Sequence, residues 1–181
     1  MQSTFNIPRA IHVAAVMAAS DLSHLPALVE ACAEHEVTTL TVCTLPPDLR
    51  LASTRDAVAL TDALVQVAPA LRPWGTTLIG RRFYLPDALA SGFSMRAGSG
   101  VDLRIAVDYA CRPSMLNAGL VAPNAAVLLV PRGLRPGNFL RWQFARADLS
   151  TVEWRRFQAS TLAEVLAGPV RIVLPRLIAA R

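Results

Sequence analysis

Ile11-His12-Val13-Ala14-Ala15-Val16-Met17 is a continuous apolar run of strand length. A strand with one wet face alternates apolar and polar residues, whereas an unbroken run belongs to a strand covered on both faces, as in a parallel sheet. Working outward, similar runs recur at Val37 to Thr44, Thr76 to Gly80, Val101 to Tyr109 and Asn124 to Val130. Between them lie helical patterns. Leu25, Leu28, Val29 and Cys32 fall at helical spacing after the N-cap candidate Ser23, with Pro26 inside the first turn, where proline is tolerated. From Ser53 to about Leu71, the residues Ala57, Leu60, Leu64 and Val67 share one face, Asp56 sits near the positive end, and Pro73 and Gly75 stop the helix. Leu85 to Phe93 reads as a short helix, and Arg96 to Gly100 as a loop. This alternation predicts an α/β fold: a single domain over residues 1–181, with a mostly parallel central sheet flanked by helices on both faces, an N-terminal arm at 1–10 and a C-terminal tail at 169–181.

The length of 181 residues is enough to bury a core. All eighteen basic residues are arginine, against thirteen acids, for a net charge of +5. That balance suits anionic partners such as diphosphates, nucleic acid or lipid head groups, and the even spread of the arginines argues against nucleic acid. Cys32, Cys43 and Cys111 are odd in number, far apart and without metal-ligand spacing, so they read as buried small hydrophobes of a reducing compartment. Met1-Gln2-Ser3-Thr4 does not open a secretory leader, and no apolar run reaches the roughly 18 residues of a membrane span. The expectation is a cytoplasmic, soluble chain with no transmembrane segment.

Near the C-terminal end, Arg135-Pro136-Gly137 leads into Asn138-Phe139-Leu140-Arg141-Trp142-Gln143-Phe144-Ala145-Arg146-Ala147-Asp148-Leu149. It reads as a helix introduced by a Pro-Gly turn, with Asn138 as N-cap, and its bulky Phe139, Trp142 and Phe144 must pack on either a core or a partner. This stretch resembles the signature of the cis-prenyltransferases of the undecaprenyl diphosphate synthase family, Arg followed by Leu-Ser-Asn-Phe-Leu-Leu-Trp-Gln and Ala-Tyr-Ala-Glu-Leu. Ile11 to Met17 resembles that family's first strand, Val101 to Arg112 resembles its Leu-Asn-Ile-Ala-Xaa-Asn-Tyr-Gly-Gly-Arg, and Thr151 to Phe157 resembles its Thr-Asp-Val-Leu-Trp-Pro-Asp-Phe. The catalytic loops depart. Where the family continues Asp-Gly-Asn-Gly-Arg-Trp, this chain reads Ala18-Ala19-Ser20-Asp21-Leu22-Ser23, which puts a methyl group at the essential Asp. Leu45-Pro46-Pro47-Asp48-Leu49-Arg50 replaces Phe-Ser-Thr-Glu-Asn-Trp, Leu129 replaces a phosphate-binding arginine, and Val130-Pro131-Arg132-Gly133 replaces Thr-Gly-Gly-Glu.

The resemblance therefore implies a cis-prenyltransferase-like domain with no catalytic residue of its own and no metal ligand. It implies diphosphate contacts at Arg135 and Arg112, and a subunit interface at Asn138, Phe139, Trp142, Gln143, Asp148 and Trp154. The expected role is a non-catalytic accessory subunit paired with a competent homologue that carries the Mg2+ and the isoprenoid diphosphate. The alternative is an active enzyme whose magnesium and diphosphate site is rearranged around Asp21, Asp148 or Asp108.

Overall fold

The structure, a computed structural model, describes residues 11–44, 53–80, 85–87, 89, 93, 100–107, 125–134 and 147–167. Six strands form one sheet: β1 (Ile11–Met17), β2 (Val37–Thr44), β3 (Thr76–Gly80), β4 (Asp102–Val107), β5 (Val127–Pro131) and β6 (Asp148–Val152). Their order is β3-β4-β2-β1-β5-β6 and every pairing is parallel. The five strands read from apolar runs are all present. The sixth, β6, was missed, and Asp148 and Leu149 open it, where the sequence reading had placed them at the end of the helix expected from Asn138. As an edge strand β6 pairs only with β5 and leaves alternate residues exposed, so it lacks the continuous apolar run that marks its neighbours.

Three α-helices are described: α1 (Leu25–Glu34), α2 (Thr54–Leu71) and α3 (Ala159–Ala167). Ser53 and Asp56 start α2 as a reciprocal capping box: Asp56 N–H donates to Ser53 Oγ at 3.3 Å and Ser53 N–H donates to Asp56 Oδ2 at 2.8 Å. The apolar stripes of all three helices, including Leu28, Leu64 and Leu162, merge with Val13, Ala15, Leu40, Ile105 and Leu129 into one core on a single face of the sheet. Helices on both faces were expected; the described ones lie on one. The other face carries a smaller cluster built from Ala14, Val16, Cys43, Ile79, Ala106, Leu128 and Val130. Which face a helix covers is set by its crossover connection, which residue spacing does not encode.

A register irregularity at the start of β2 pairs Ile11 with Val37 but His12 with Thr39, skipping Thr38. Val37 and Leu40 thereby both join the helix-side core, while the Thr38 hydroxyl donates to Ile11 O at 3.0 Å. Gly100, with φ +139°, holds a conformation that L side chains rarely adopt, and a Cβ built on it would lie 3.3 Å from Trp74 Cζ3. Gly100→Ala is expected to destabilise the fold by about 1–3 kcal/mol, read as a lowered urea midpoint.

On the face without described helices, His12 is 6% exposed and its Nε2 lies 2.9 Å from Thr41 Oγ1, while Nδ1 has no partner among the described residues. Burial, reinforced by the Arg104 charge and opposed by Asp102, lowers its pKa to about 4. The unfolded chain takes up this proton near the ordinary value of 6.5 and the folded chain only near 4. The stability tied to neutral His12 is thus full above pH 6.5 and is lost as pH falls toward 4, by roughly 3 kcal/mol in total. Urea melts of the parent chain and of His12→Leu at pH 7 and 4.5 should show a steeper acid loss in the parent.

Candidate functional site at the carboxyl edge of the sheet

In open parallel sheets the ligand crevice lies beyond the carboxyl ends of the strands, where neighbouring strands send their connections in opposite directions. Here that point falls between β1, whose chain continues toward β2, and β5, whose chain continues toward β6. Among the described residues, three turns meet this edge.

The first turn follows β1. Ala18 is extended, and Ala19–His24 winds into a 3-10 turn with Leu22 fully buried beneath it. Asp21 N–H donates to Ala18 O at 2.9 Å, and Asp21 Oδ2 accepts from Ala18 N–H at 3.2 Å. The methyl side chain of Ala18 cannot return the bond, so Asp21 alone caps the turn. The backbone amide at the end of β1 is therefore already bonded to a carboxylate of the same chain. This is the capping role that the Ala18-to-Asp21 spacing permits.

The second turn follows β5. Leu129, at the position of an arginine in the resembling motif, is fully buried and pairs with Ala15. Pro131-Arg132-Gly133-Leu134 then closes a four-residue turn, with Leu134 N–H donating to Pro131 O at 3.0 Å and Gly133 at φ +86°. A glycine at that φ in the third position is the signature of a type II turn. Arg132 N–H donates to Val152 O at 2.8 Å, tying this turn to the end of β6.

The third turn, Trp154–Arg156, follows β6. Trp154 was expected at a subunit contact but is 3% exposed inside this chain's own core. Its indole N–H donates to Val16 O at 3.1 Å and its ring lies 5.6 Å from that of Phe157. Aromatic size alone could not separate burial against the chain's own core from burial against a partner. The Trp154 bond fastens β6's exit to the last turn of β1, beside Ala18.

Among the other residues singled out in the sequence, Arg112, Arg135, Asn138, Phe139, Trp142, Gln143 and Asp108 lie outside the described residues, as do Pro46 and Leu49. Asp148 is the first residue of β6, and its N–H donates to Ala126 O at 2.9 Å. Because the strands run parallel, Asp148 lies at the amino edge and Asp21 at the carboxyl edge, on the order of 15 Å apart along the strand direction. They cannot share an ion. Magnesium needs near-octahedral oxygen donors from one or two carboxylates together with substrate phosphates. Among the described residues no group of three or more His, Cys, Asp or Glu could hold a metal, and the carboxylate nearest the crevice is engaged in capping, so the described donors do not fit a magnesium–diphosphate site. Cys32 and Cys43 are buried free thiols whose pKa burial pushes up to about 12, which leaves neither reactive as a thiolate. Among the described residues no helix is long and apolar enough to cross a membrane.

No protein-family model matches the chain. It is 36% identical over 123 residues to isoprenyl transferase 1 of Bradyrhizobium diazoefficiens, a match covering 51% of this chain and 49% of the relative. The chain thus spans about half the length of the curated relative it matches. Its fold is that of lavandulyl diphosphate synthase from Lavandula x intermedia, solved with dimethylallyl diphosphate, with a TM-score of 0.66 and 16% identity over 86% of this chain and 93% of that one. A probable undecaprenyl diphosphate synthase from Campylobacter jejuni superposes with a TM-score of 0.60 and 16% identity, over 86% of this chain and 92% of the other. The domain is an undecaprenyl diphosphate synthase-like α/β fold, with sequence homology to isoprenyl transferases.

Trp154→Phe keeps the ring contact but leaves Val16 O without the indole donor, and is expected to cost about 1–3 kcal/mol in a denaturant melt. Trp154→Ala, which also opens a cavity, should cost about 3–5 kcal/mol.

Proposed function

We propose that this prenyltransferase-like chain is a non-catalytic accessory subunit, pairing with a catalytically competent cis-prenyltransferase to form a heteromeric isoprenoid diphosphate synthase. The observation that carries the proposal is the state of the crevice edge. The position of the resembling motif's essential Asp is Ala18, and its amide is taken up by Asp21. Leu129 contributes to the core instead of reaching a phosphate. Apolar groups cannot supply the electrostatic stabilisation that a departing diphosphate requires. The sheet scaffold, by contrast, is intact over six strands.

In this reading the partner supplies the carboxylate, the phosphate loop and the Mg2+, while Arg135 and Arg112 of this chain add contacts to its diphosphate. Asn138, Phe139, Trp142, Gln143 and Asp148 form the contact surface. The rearranged-enzyme alternative loses ground from the separation of Asp21 and Asp148 to opposite edges of the sheet.

Purified alone, the chain is expected to show no condensation of isopentenyl diphosphate with an allylic diphosphate. Co-expressed with a competent homologue from the same genome, it should co-purify and raise that homologue's stability or turnover. Trp142→Ala should weaken the association by about 2 kcal/mol or more, in line with loss of an aromatic anchor. Metal-dependent turnover by the isolated chain, or a homologue equally stable and active without it, would sink the accessory-subunit reading.

A further inference from the structure

The outer face of the helix layer, turned away from the sheet, plays no part in the site described above. α1 packs against both α2 and α3, so the three lie side by side in the order α2-α1-α3. On α2, Leu64, Val67 and Leu71 are buried in the core, and the opposite side carries Val58, Asp62, Val65 and Pro69 at the spacing of one straight helical stripe. A helix covering a core normally shows water a polar face. Here Val58 and Val65 are each 55% exposed, and with Leu149 they are the large apolar side chains that stand exposed among the described residues. The adjoining outer face of α1 is acidic. Glu30 and Glu34 stand exposed one turn apart, a like-charge pair that weakens the helix slightly. Glu34 also closes the last turn, where the helix dipole is itself negative and no basic residue is present to offset it. Among the described residues Glu30, Glu34 and Asp62 have no ion-pair partner. An exposed apolar stripe thus lies beside unmatched carboxylates.

We infer that this face is the docking site of the chain's own C-terminal segment, residues 168–181. That segment lies outside the described residues and reads Gly168-Pro169-Val170-Arg171-Ile172-Val173-Leu174-Pro175-Arg176-Leu177-Ile178-Ala179-Ala180-Arg181, three arginines among aliphatic residues with no acid. It complements the face in both respects, cations for Glu30, Glu34 and Asp62 and aliphatic side chains for Val58 and Val65. The reach is sufficient. The segment starts at the end of α3, and its fourteen residues extend to about 46 Å. Neighbouring helix axes lie about 8–10 Å apart, which puts α2 about 20 Å from α3, with α1 between them. Arg171, four residues past Ala167, can extend about 13 Å and so reach α1, while Arg176 can extend about 30 Å and reach α2. Docking covers the valines and sets guanidiniums against carboxylates already fixed on rigid helices. The inference concerns this chain alone and holds whether or not it pairs with a homologue.

The test is limited digestion of the full chain with trypsin, which cuts after arginine, following cleavage at Arg176 by intact mass. Cleavage tracks the population in which the segment is undocked. Val58→Asp/Val65→Asp and, separately, Glu30→Arg/Glu34→Arg should each speed it by about fivefold or more. Leu149→Asp, an equally exposed apolar position on β6, should change it by less than about twofold. Adding Arg171→Glu to Glu30→Arg/Glu34→Arg should return cleavage at Arg176 toward the parent rate, a rescue that a merely loosened helix would not give. Circular dichroism confirms that each variant is folded. The inference is overturned if the parent is cut at Arg176 as fast as the α1 and α2 variants, or if Leu149→Asp speeds cleavage as much as they do. It is overturned as well if protection in the parent grows with protein concentration, which would put the segment of a second copy on this face.

Discussion

A central strand of a parallel sheet has to find hydrogen-bond partners along both of its edges, and β1 is the strand on which that requirement falls hardest. Its residues are buried almost throughout, so any amide or carbonyl left open would pay the full cost of desolvation. β2 satisfies one edge along its whole length, from Ile11 to Met17. β5 satisfies the other only at Val13, Ala14 and Ala15. Toward the carboxyl end an indole N–H from beyond β6 joins the carbonyl of Val16, a side chain acting where the strand pairing has stopped. The geometry of the crevice edge follows from this: the turn after β6 is held against β1, and the turn after β5 is held against β6.

The same edge explains how an apolar substitution can leave a fold standing. Ala18 and Leu129 stand where the resembling motif has an aspartate and an arginine. Leu129 simply enlarges the core, contacting the same layer as Leu28 and Leu64. At Ala18 the half-buried amide is satisfied from within by Asp21. Each change removes a demand for precise solvation and so costs the scaffold little.

Much of this was legible in the sequence because burial on both faces writes itself as an apolar run. β1 to β5 announce themselves in that way, and α1 and α2 through the spacing of Leu25, Leu28, Cys32, Leu64 and Val67. β6 did not, because Asp148, Leu149, Ser150, Thr151 and Val152 form a strand with one neighbour, and alternating exposure over five residues is a weak signal. The placement of the described helices on one face was hidden as well: an apolar stripe says that a helix is covered, not from which side. Trp154 was misjudged for a related reason. Its partner is a main-chain carbonyl 138 residues away in sequence, and no local pattern points to such a contact.

The order of the strands also sets a timetable. β1 and β2 are neighbours in sequence and in space, so that pair can form as soon as α1 has been made. The far edge of β1 has to wait for Val127 to Leu129, more than a hundred residues later. At a synthesis rate of about 5–20 residues per second, a newborn chain carries that unpaired edge for roughly ten seconds. An apolar strand margin left open for so long is the kind of edge on which other nascent chains can pair.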